Sequence, residues 1–264
     1  MKPRVDIIIP VYGSAGHLSR CVEALNLTVK PEQARIWIAD DNTPPGAELE
    51  GIAQIAAVLP PHYRFERRKH NKGYAATNNF LANKGGAPYV CLLNSDTQPQ
   101  AGWLDALVDV MDMNENIAVA GAKLIFPLWV KDDPARPAGR IQHAGVAFNA
   151  DRMPYHIFVG WQPTHPKVNR QLLMKSVTGA CMMVRREVYE HLGGLDTAFK
   201  QGNFEDIDFC LRVNAAEHDI AYVPEALLWH FGSGSNNTAD IQQNALLFRS
   251  RWFEKIVPDD HLYY

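Results

Sequence analysis

One feature of this chain limits its fold more than any other: the regular alternation of two hydrophobic periods in the first half. Val5–Ile9 is a β-branched run, and a Gly/Ser turn at Gly13–Gly16 leads to a helical pattern through Leu18, Val22 and Leu25. Ile36–Ala39 forms a second apolar run, ended by Asp40 and Asp41, and 46–59 reads as a helix stopped by Pro60 and Pro61. Tyr63–Arg67, Tyr89–Leu93 and Ile117–Ala120 read as strands. Tyr74–Asn83 and the stretch through Leu104, Leu107, Val108 and Met111 read as the helices between them. Continuous apolar strands separated by amphipathic helices predict an α/β chain with a parallel sheet covered on both faces. Ligands of such sheets bind at the carboxyl ends of the strands. Pro10–Val11–Tyr12, Asp40–Asp41 and Asn94–Ser95–Asp96 all stand at such ends, so three strands aim polar or turn-forming groups at one edge.

The second half is less regular. Residues 127–140 hold Pro127, Pro134 and Pro137 among mixed charges and read as a mobile loop. Ile141–Asn149 and Val177–Val184 are strand candidates, while 151–175, rich in Pro, His and Trp, resists assignment. Arg186–Leu192 reads as a short helix ended by Gly193–Gly194, and Glu205–Glu217 as a helix. Tyr222–Val223 and Ala226–Trp229 read as two strands, the second ending at His230, and an amphipathic helix follows through Leu246, Leu247, Trp252 and Phe253. Without a convincing linker or repeat, one domain over 1–264 is expected, with 1–122 as a nucleotide-binding half and 123–264 as an acceptor-binding and catalytic half.

Composition narrows the function classes. A net charge of −3 offers no basic face for nucleic acid. The four cysteines, Cys21, Cys91, Cys181 and Cys210, form no CxxC or Cys/His pattern and sit in apolar surroundings. They are expected to be buried free thiols in a reducing compartment. No leader-like segment opens the chain and no run approaches the roughly 20 apolar residues of a spanning helix. A cytoplasmic protein is expected, at most peripheral at the inner face of the membrane. The helix near 240–257, with Arg249, Arg251 and Lys255 among its apolar residues, either lies on such a membrane or simply packs on the domain.

Several constellations can carry chemistry. In LLNSDTQP, residues 92–99, Asp96 either caps the turn at Thr97–Gln98 or ligates a Mg²⁺ or Mn²⁺ ion that carries a diphosphate. Asp41 either organises the turn after it or accepts a nucleobase N–H. HNKGYAATNNF, residues 70–80, places Gly73 at a helix start, where backbone can approach an anion closely. It is neither GxGxxG nor a P-loop, which disfavours dehydrogenase and kinase-type readings. GNFEDIDFCLR, residues 202–212, puts Glu205, Asp206 and Asp208 in a first helical turn, either as dipole-favoured acids or as a general base with neighbours. His230, in LLWHFGSGSNN, is either a satisfied structural group or a metal ligand.

Taken in order, VDIIIPVYGSAGHLSRCVEAL, IADDNT, NKGYAATNN, LLNSDTQPQAGWL, TGACMMVRREVYEHLGGLD, FEDIDFCLR and LWHFGSGS strongly resemble the family 2 glycosyltransferases with the GT-A fold. The resemblance runs from about Val5 to Ser235. Its TGA to EDIDFCLR block looks like the rhamnosyltransferase-type members that build bacterial surface polysaccharides. It implies an inverting transferase that uses a nucleotide-diphospho sugar, dTDP- or UDP-linked (dTDP-rhamnose among them), with Mn²⁺ or Mg²⁺ as cofactor. The implied acceptor is a saccharide or lipid-linked saccharide. Pro10, Val11, Tyr12, Asp41, Asn71 and Gly73 would line the donor pocket, with Asn94 and Ser95 beside it. Asp96 and His230 would hold the metal. Asp206 would be the base, with Glu205 its competitor, and Asp208 and Arg212 would meet the acceptor or organise the helix. Asn94 stands where the family's DxD motif has its first acid. The donor phosphates would therefore complete the metal's shell.

Two other classes compete. Nucleotidyl transfer would need a more basic glycine loop than GSAGHLSR. An inactive GT-A-like binding module of a larger polymerising assembly would not need Asp41, Asp96, Asp206 and His230 together.

Overall fold

The computed structural model describes residues 3–128, 136–200, 202–232 and 238–264. The first half is built from β1 (Val5–Val11), α1 (Ala15–Thr28), β2 (Ala34–Asp40), α2 (Ala47–Ala57), β3 (Tyr63–Arg67), α3 (Tyr74–Ala82) and β4 (Tyr89–Leu93). Then come β5 (Thr97–Pro99), α4 (Trp103–Met113) and β6 (Ile117–Ile125). The second half adds β7 (Ile141–His143), β8 (Val146–Phe148), β9 (Pro154–His156), a 3₁₀ turn (Pro166–Asn169), β10 (Leu172–Leu173) and β11 (Cys181–Arg185). It ends with α5 (Arg186–His191), α6 (Glu205–Ala215), β12 (Asp219–His230), α7 (Thr238–Trp252) and a 3₁₀ turn (Asp260–Leu262).

The strands form one ten-stranded sheet in the order β10-β12-β6-β11-β4-β1-β2-β3, with β5 on β12 and β7 on β6. β3, β2, β1 and β4 run parallel, as do β6 and β12, and β11 lies antiparallel between the two blocks. All six longer strands outside β11 therefore point the same way, and their carboxyl ends form a single edge. Alternation within β1 shows why both faces are covered. Ile7 and Ile9 pack in the cluster under α1, α2 and α4, whereas Ile8 packs with Leu92, Val119 and Phe209 under α3 and α6.

Four sequence expectations change in detail. β1 continues through Pro10 to Val11, because beyond Ile8 the ladder to β4 has ended and only β2 pairs with it. Ile141–Asn149 is two strands, broken at Gly145, whose φ of +109° and contact with Met174 leave no room for a side chain. Strand β11 starts only at Cys181, and the preceding Thr178–Ala180 stays irregular. The two expected strands at 222–229 are one strand, β12, with a register shift between Val223 and Leu227 around Pro224, which has no N–H to give. Residues 129–135 of the proline-rich loop expected at 127–140 lie outside the described residues, as do residues 233–237 of the Gly/Ser loop after His230.

All four cysteines are buried and free. Burial pushes the Cys21 and Cys210 thiols up to about 12, so neither offers a thiolate. Among the described residues no helix is long and apolar enough to cross a membrane. The apolar face of α7 packs inward: Phe248 and Trp252 join Phe148, Phe199 and Leu211, while Leu246 remains exposed. The amphipathic pattern that suggested lipid contact is thus used largely for packing.

Candidate active site

The strand ends converge on a cavity of about 480 Å³. From the first half it is lined by Pro10, Val11 and Tyr12, by Asp41, by Asn71 and Gly73, and by Asn94. The second half lines it with Glu205 and Asp206, with Thr178–Ala180, and with Tyr155 and His156. Nine of the residues expected in a donor or catalytic site thus meet in one cavity.

The adjacent acids at the end of β2 are kept apart by different partners. Asp40 is fully buried; its carboxylate accepts from Thr43 N (2.9 Å) and Thr43 Oγ1 (2.6 Å) and pairs with Arg67 Nη1 at 2.6 Å. Asp41 accepts the backbone N–H groups of Lys72 (3.0 Å) and Gly73 (2.8 Å) and stands 3.6 Å from Arg68 Nε. It therefore clamps the 71–73 loop against the sheet, in a conformation with Gly73 at φ +83°. Each carboxylate oxygen has two acceptor sites, so the clamp leaves Asp41 capacity for a ligand donor. Asn94 is fixed through its backbone, which donates to Ala180 O at 3.0 Å. Its side-chain Oδ1 is buried without a hydrogen-bond partner. A buried carbonyl in that state costs on the order of 1–3 kcal/mol until a donor arrives.

From the second half, Asp206 Oδ2 accepts Gly179 N–H at 2.8 Å, and its Oδ1 accepts the N–H of Ile207 at 2.9 Å. A Cβ on Gly179 would stand 3.2 Å from Asp206 Cβ and 3.1 Å from Tyr74 Oη, so a side chain there would press on both. Gly202, Asn203 and Phe204 all have left-handed φ (93°, 81° and 73°), and this turn delivers Glu205 and Asp206 into the cavity. Asn244 on α7 holds the turn: its Nδ2 donates to Gly202 O at 2.9 Å and Lys200 O at 2.8 Å. Glu205 differs sharply from its neighbour. Burial, and then the charge of Asp206, lifts its carboxyl well above its ordinary value, and its Oε2 has no hydrogen-bond partner.

That asymmetry predicts a pH-dependent stability effect. Because the folded state holds the Glu205 proton more tightly than the unfolded chain, stability falls as pH rises from the ordinary value of 4.5 toward the folded value. Glu205→Gln removes the titration. Its thermal midpoint should exceed that of the parent at pH 8, with the gap closing toward pH 4.5. A gap that does not depend on pH would refute the assignment of Glu205 as a proton-retaining acid.

Asp96 and His230 come from distant parts of the sequence and meet each other just past Asn94, without lining the cavity. β5 pairs with β12, placing Thr97 opposite His230, and His230 Nε2 lies 3.2 Å from Asp96 Oδ1. Thr97–Pro99 is therefore a strand, not a turn capped by Asp96. His230 Nδ1 lies 2.7 Å from Gln142 Oε1. Among the described residues no group of three or more His, Cys, Asp or Glu side chains is gathered for a metal. One carboxylate and one imidazole nevertheless suit an ion that takes most of its ligands from phosphate and water, and Mn²⁺ accepts such a pair.

Ser95 is half-buried beside this corner and does not line the cavity. Asp208 and Arg212, expected to meet the acceptor, do not line it either. Asp208 is 1% exposed and is bound by Arg212 Nε (2.9 Å), Trp252 Nε1 (2.8 Å) and Arg251 Nη1 (3.2 Å). Arg212 also donates to Leu192 O and Gly194 O. These two residues organise α6, and their donors and acceptors are committed within the protein. The sequence reading had no signal for Tyr155 and His156, which sit on a three-residue strand in the segment that resisted assignment. Tyr74 and Thr77 were hidden on the inner face of α3.

Comparison with known proteins agrees with this geometry. The model of Glycosyl transferase family 2 matches residues 6–193, and that of Glycosyltransferase like family 2 matches residues 140–252. The O-antigen biosynthesis protein RfbC of Myxococcus xanthus is 28% identical over 249 residues, covering 91% of this chain and 18% of that protein. The pre-mycofactocin glycosyltransferase of Mycobacterium tuberculosis is 24% identical over 228 residues, 86% of this chain and 42% of that one. The chain thus spans less than half the length of either relative. Among solved structures, GalNAc-T7 with UDP, GalNAc and Mn²⁺ superposes with a TM-score of 0.73 at 14% identity, over 96% of this chain and 49% of that one. The mannosyltransferase PcManGT of Pyrobaculum calidifontis with GDP-Man and Mn²⁺ gives 0.66 at 12% identity, over 100% of this chain and 68% of that one. The fold is GT-A, and with its family model matched over most of its length the chain belongs to glycosyltransferase family 2.

Proposed function

We propose that the protein is an inverting, metal-dependent glycosyltransferase. It moves a sugar from a dTDP- or UDP-linked donor to a saccharide or lipid-linked saccharide acceptor in surface-polysaccharide assembly. The observation that carries this reading is a strand-end cavity holding two unsatisfied groups, Asn94 Oδ1 and Glu205 Oε2, with the Asp96–His230 pair starting two residues along the chain from Asn94. The similarity to an O-antigen biosynthesis protein supports the acceptor class, and the bound nucleotides and Mn²⁺ of the two solved glycosyltransferases support the donor and the ion.

In this reading the first half binds the donor. Asp41, held by the 72–73 amides, accepts the nucleobase N–H. Tyr12, half exposed at the mouth, offers its ring to the base or ribose, and Asn94 Oδ1 accepts a ribose hydroxyl. Asp96 and His230 hold a divalent ion, whose charge stabilises the departing diphosphate. From the second half, Asp206 takes the proton of the acceptor hydroxyl as that oxygen bonds to the anomeric carbon. The carbon–oxygen bond to the diphosphate breaks on the opposite side, which inverts the centre. Burial and the charge of Asp206 disfavour in Glu205 the ionised form that a base needs.

A thermal-shift series with Mn²⁺ and UDP-, dTDP- or GDP-sugars tests the reading. A donor at about 100 times its Kd adds about 2.7 kcal/mol, which for a chain of this size is a rise of roughly 5–10 °C. Asp96→Ala should remove the Mn²⁺-dependent part, with donor affinity in Mn²⁺ falling about tenfold or more by calorimetry. Equal affinity in the two proteins would reject Asp96 as a ligand. Mn²⁺-dependent donor binding with neither transfer nor hydrolysis would favour the alternative, a GT-A-like binding module that has lost its chemistry.

A further inference from the structure

The geometry points to Gln142, on β7, as a positioning residue that fixes which nitrogen is open on two histidines at once, His230 at the metal corner and His156 at the cavity wall. This rests on the proposed role of His230 as a metal ligand.

The argument starts from groups whose roles cannot be exchanged. A backbone carbonyl only accepts. Gln142 Nε2 lies 3.3 Å from the carbonyl oxygen of His230, so the amide must present its NH₂ there and its Oε1 on the other side. Oε1 lies 2.7 Å from His230 Nδ1, and an amide oxygen also only accepts. Nδ1 therefore carries a proton, so that in its neutral form the ring presents the Nε2 lone pair to Asp96 Oδ1, 3.2 Å away. Two acceptors that close repel each other unless a proton or a cation lies between them. Gln142 thus keeps the corner poised for a cation. Without it, His230 would move its proton to Nε2, donate to Asp96 and close the corner by itself.

The backbone of the same residue acts on the second ring. His156 Nδ1 lies 3.2 Å from Gln142 O, again an obligate acceptor. Nδ1 must be the protonated nitrogen, and Nε2 on the far side of the ring is left as an acceptor in a residue that lines the cavity. The neighbouring ring of His143, edge-on at 4.6 Å, is fully buried. His143 Nε2 lies 3.5 Å from the N–H of Thr178, another cavity residue. A single β7 residue thereby links the metal corner to the cavity lining, where a hydroxyl donor of the acceptor sugar would find His156 Nε2.

Long-range ¹H–¹⁵N correlation of the imidazoles, on the metal-free protein at a pH where the rings are neutral, reads the tautomers directly. Both histidines should carry hydrogen on Nδ1; a proton on Nε2 of His230 in the parent protein would overturn the proposal. Gln142→Met, of similar length but with no amide, should shift His230 toward the Nε2–H form. It should leave His156, held by the backbone, unchanged. Gln142→Glu, which keeps an acceptor opposite Nδ1, should retain the parent tautomer. Mn²⁺ affinity in the presence of UDP, measured by electron paramagnetic resonance, should fall about 10- to 100-fold in Gln142→Met. A Gln142→Met protein with the parent tautomer and parent Mn²⁺ affinity overturns the positioning role. A parent protein that binds no Mn²⁺ with UDP refutes the metal reading instead, whatever its tautomers.

Discussion

Asp206→Asn should lower the release of nucleoside diphosphate from the donor by about 10²- to 10⁴-fold, the range expected when a positioned base is lost. Donor affinity in Mn²⁺ should stay within about twofold, because in this reading Asp206 meets the acceptor hydroxyl and not the donor. The two hydrogen bonds to Asp206 set the structural cost of the substitution, since an asparagine turns its NH₂ toward one of the two N–H groups. Oδ2 accepts from Gly179 N–H and Oδ1 from Ile207 N–H, and an asparagine can keep one of them through its remaining oxygen. What it cannot do is accept a proton. Glu205→Gln is the natural control. Burial and the adjacent charge disfavour the ionised form of Glu205, so removing its acidity should cost far less turnover than the change one residue on. Turnover in Asp206→Asn equal to the parent's would remove Asp206 as the base. A larger loss in Glu205→Gln than in Asp206→Asn would reverse the two roles.

The first half of the fold was legible because its local and long-range signals coincide. Tyr63–Arg67 was read from alternation alone and has those bounds in the structure. The strands ending at Asp40 and Leu93 were read from apolar runs that stop at polar residues, and that same stop places Asp41 and Asn94 in the cavity. The second half separated these signals. Pro224 interrupts the pattern of β12 although the strand continues past it in a shifted register. Tyr155 and His156 lie on a strand too short to show a period, and only the chain's return past Glu205 gives them a role. Gln142 illustrates the limit most plainly. Its neighbours Ile141 and His143 mark it as one residue of a short strand, and nothing local says that its amide meets a histidine 88 positions on. The acids of GNFEDIDFCLR carry a related ambiguity. Glu205, Asp206 and Asp208 share one helical turn and one local chemistry, so the sequence cannot tell which faces a ligand and which faces an arginine.

The structure separates them, and Asp208→Ala should show by how much. This carboxylate is 1% exposed and receives Arg212, Arg251 and the indole N–H of Trp252. Removing one partner of a buried ion pair typically costs about 3–5 kcal/mol, because the remaining charges are left without compensation. Arg212 and Arg251 keep 23% and 33% side-chain exposure and can recover some hydration, so the lower end, about 3 kcal/mol, is expected. That corresponds to a fall of roughly 6–12 °C in thermal midpoint for a chain of this size. Asp208→Asn keeps an acceptor for the Trp252 indole and should lose less. The same substitutions decide between the two roles open to Asp208 in the sequence. A residue that bound the acceptor would, on truncation, raise the acceptor KM and leave stability unchanged. A residue that joins α6 to α7 does the reverse: urea and thermal midpoints fall, while turnover measured well below the midpoint is largely retained, since Asp208 does not line the cavity. An Asp208→Ala protein as stable as the parent would remove the structural assignment. Its loss of stability would instead explain how α7 holds the active-site turn: Trp252 and Arg251 fix this helix on Asp208, and Asn244 on the same helix holds the carbonyls of Lys200 and Gly202 just before Glu205 and Asp206.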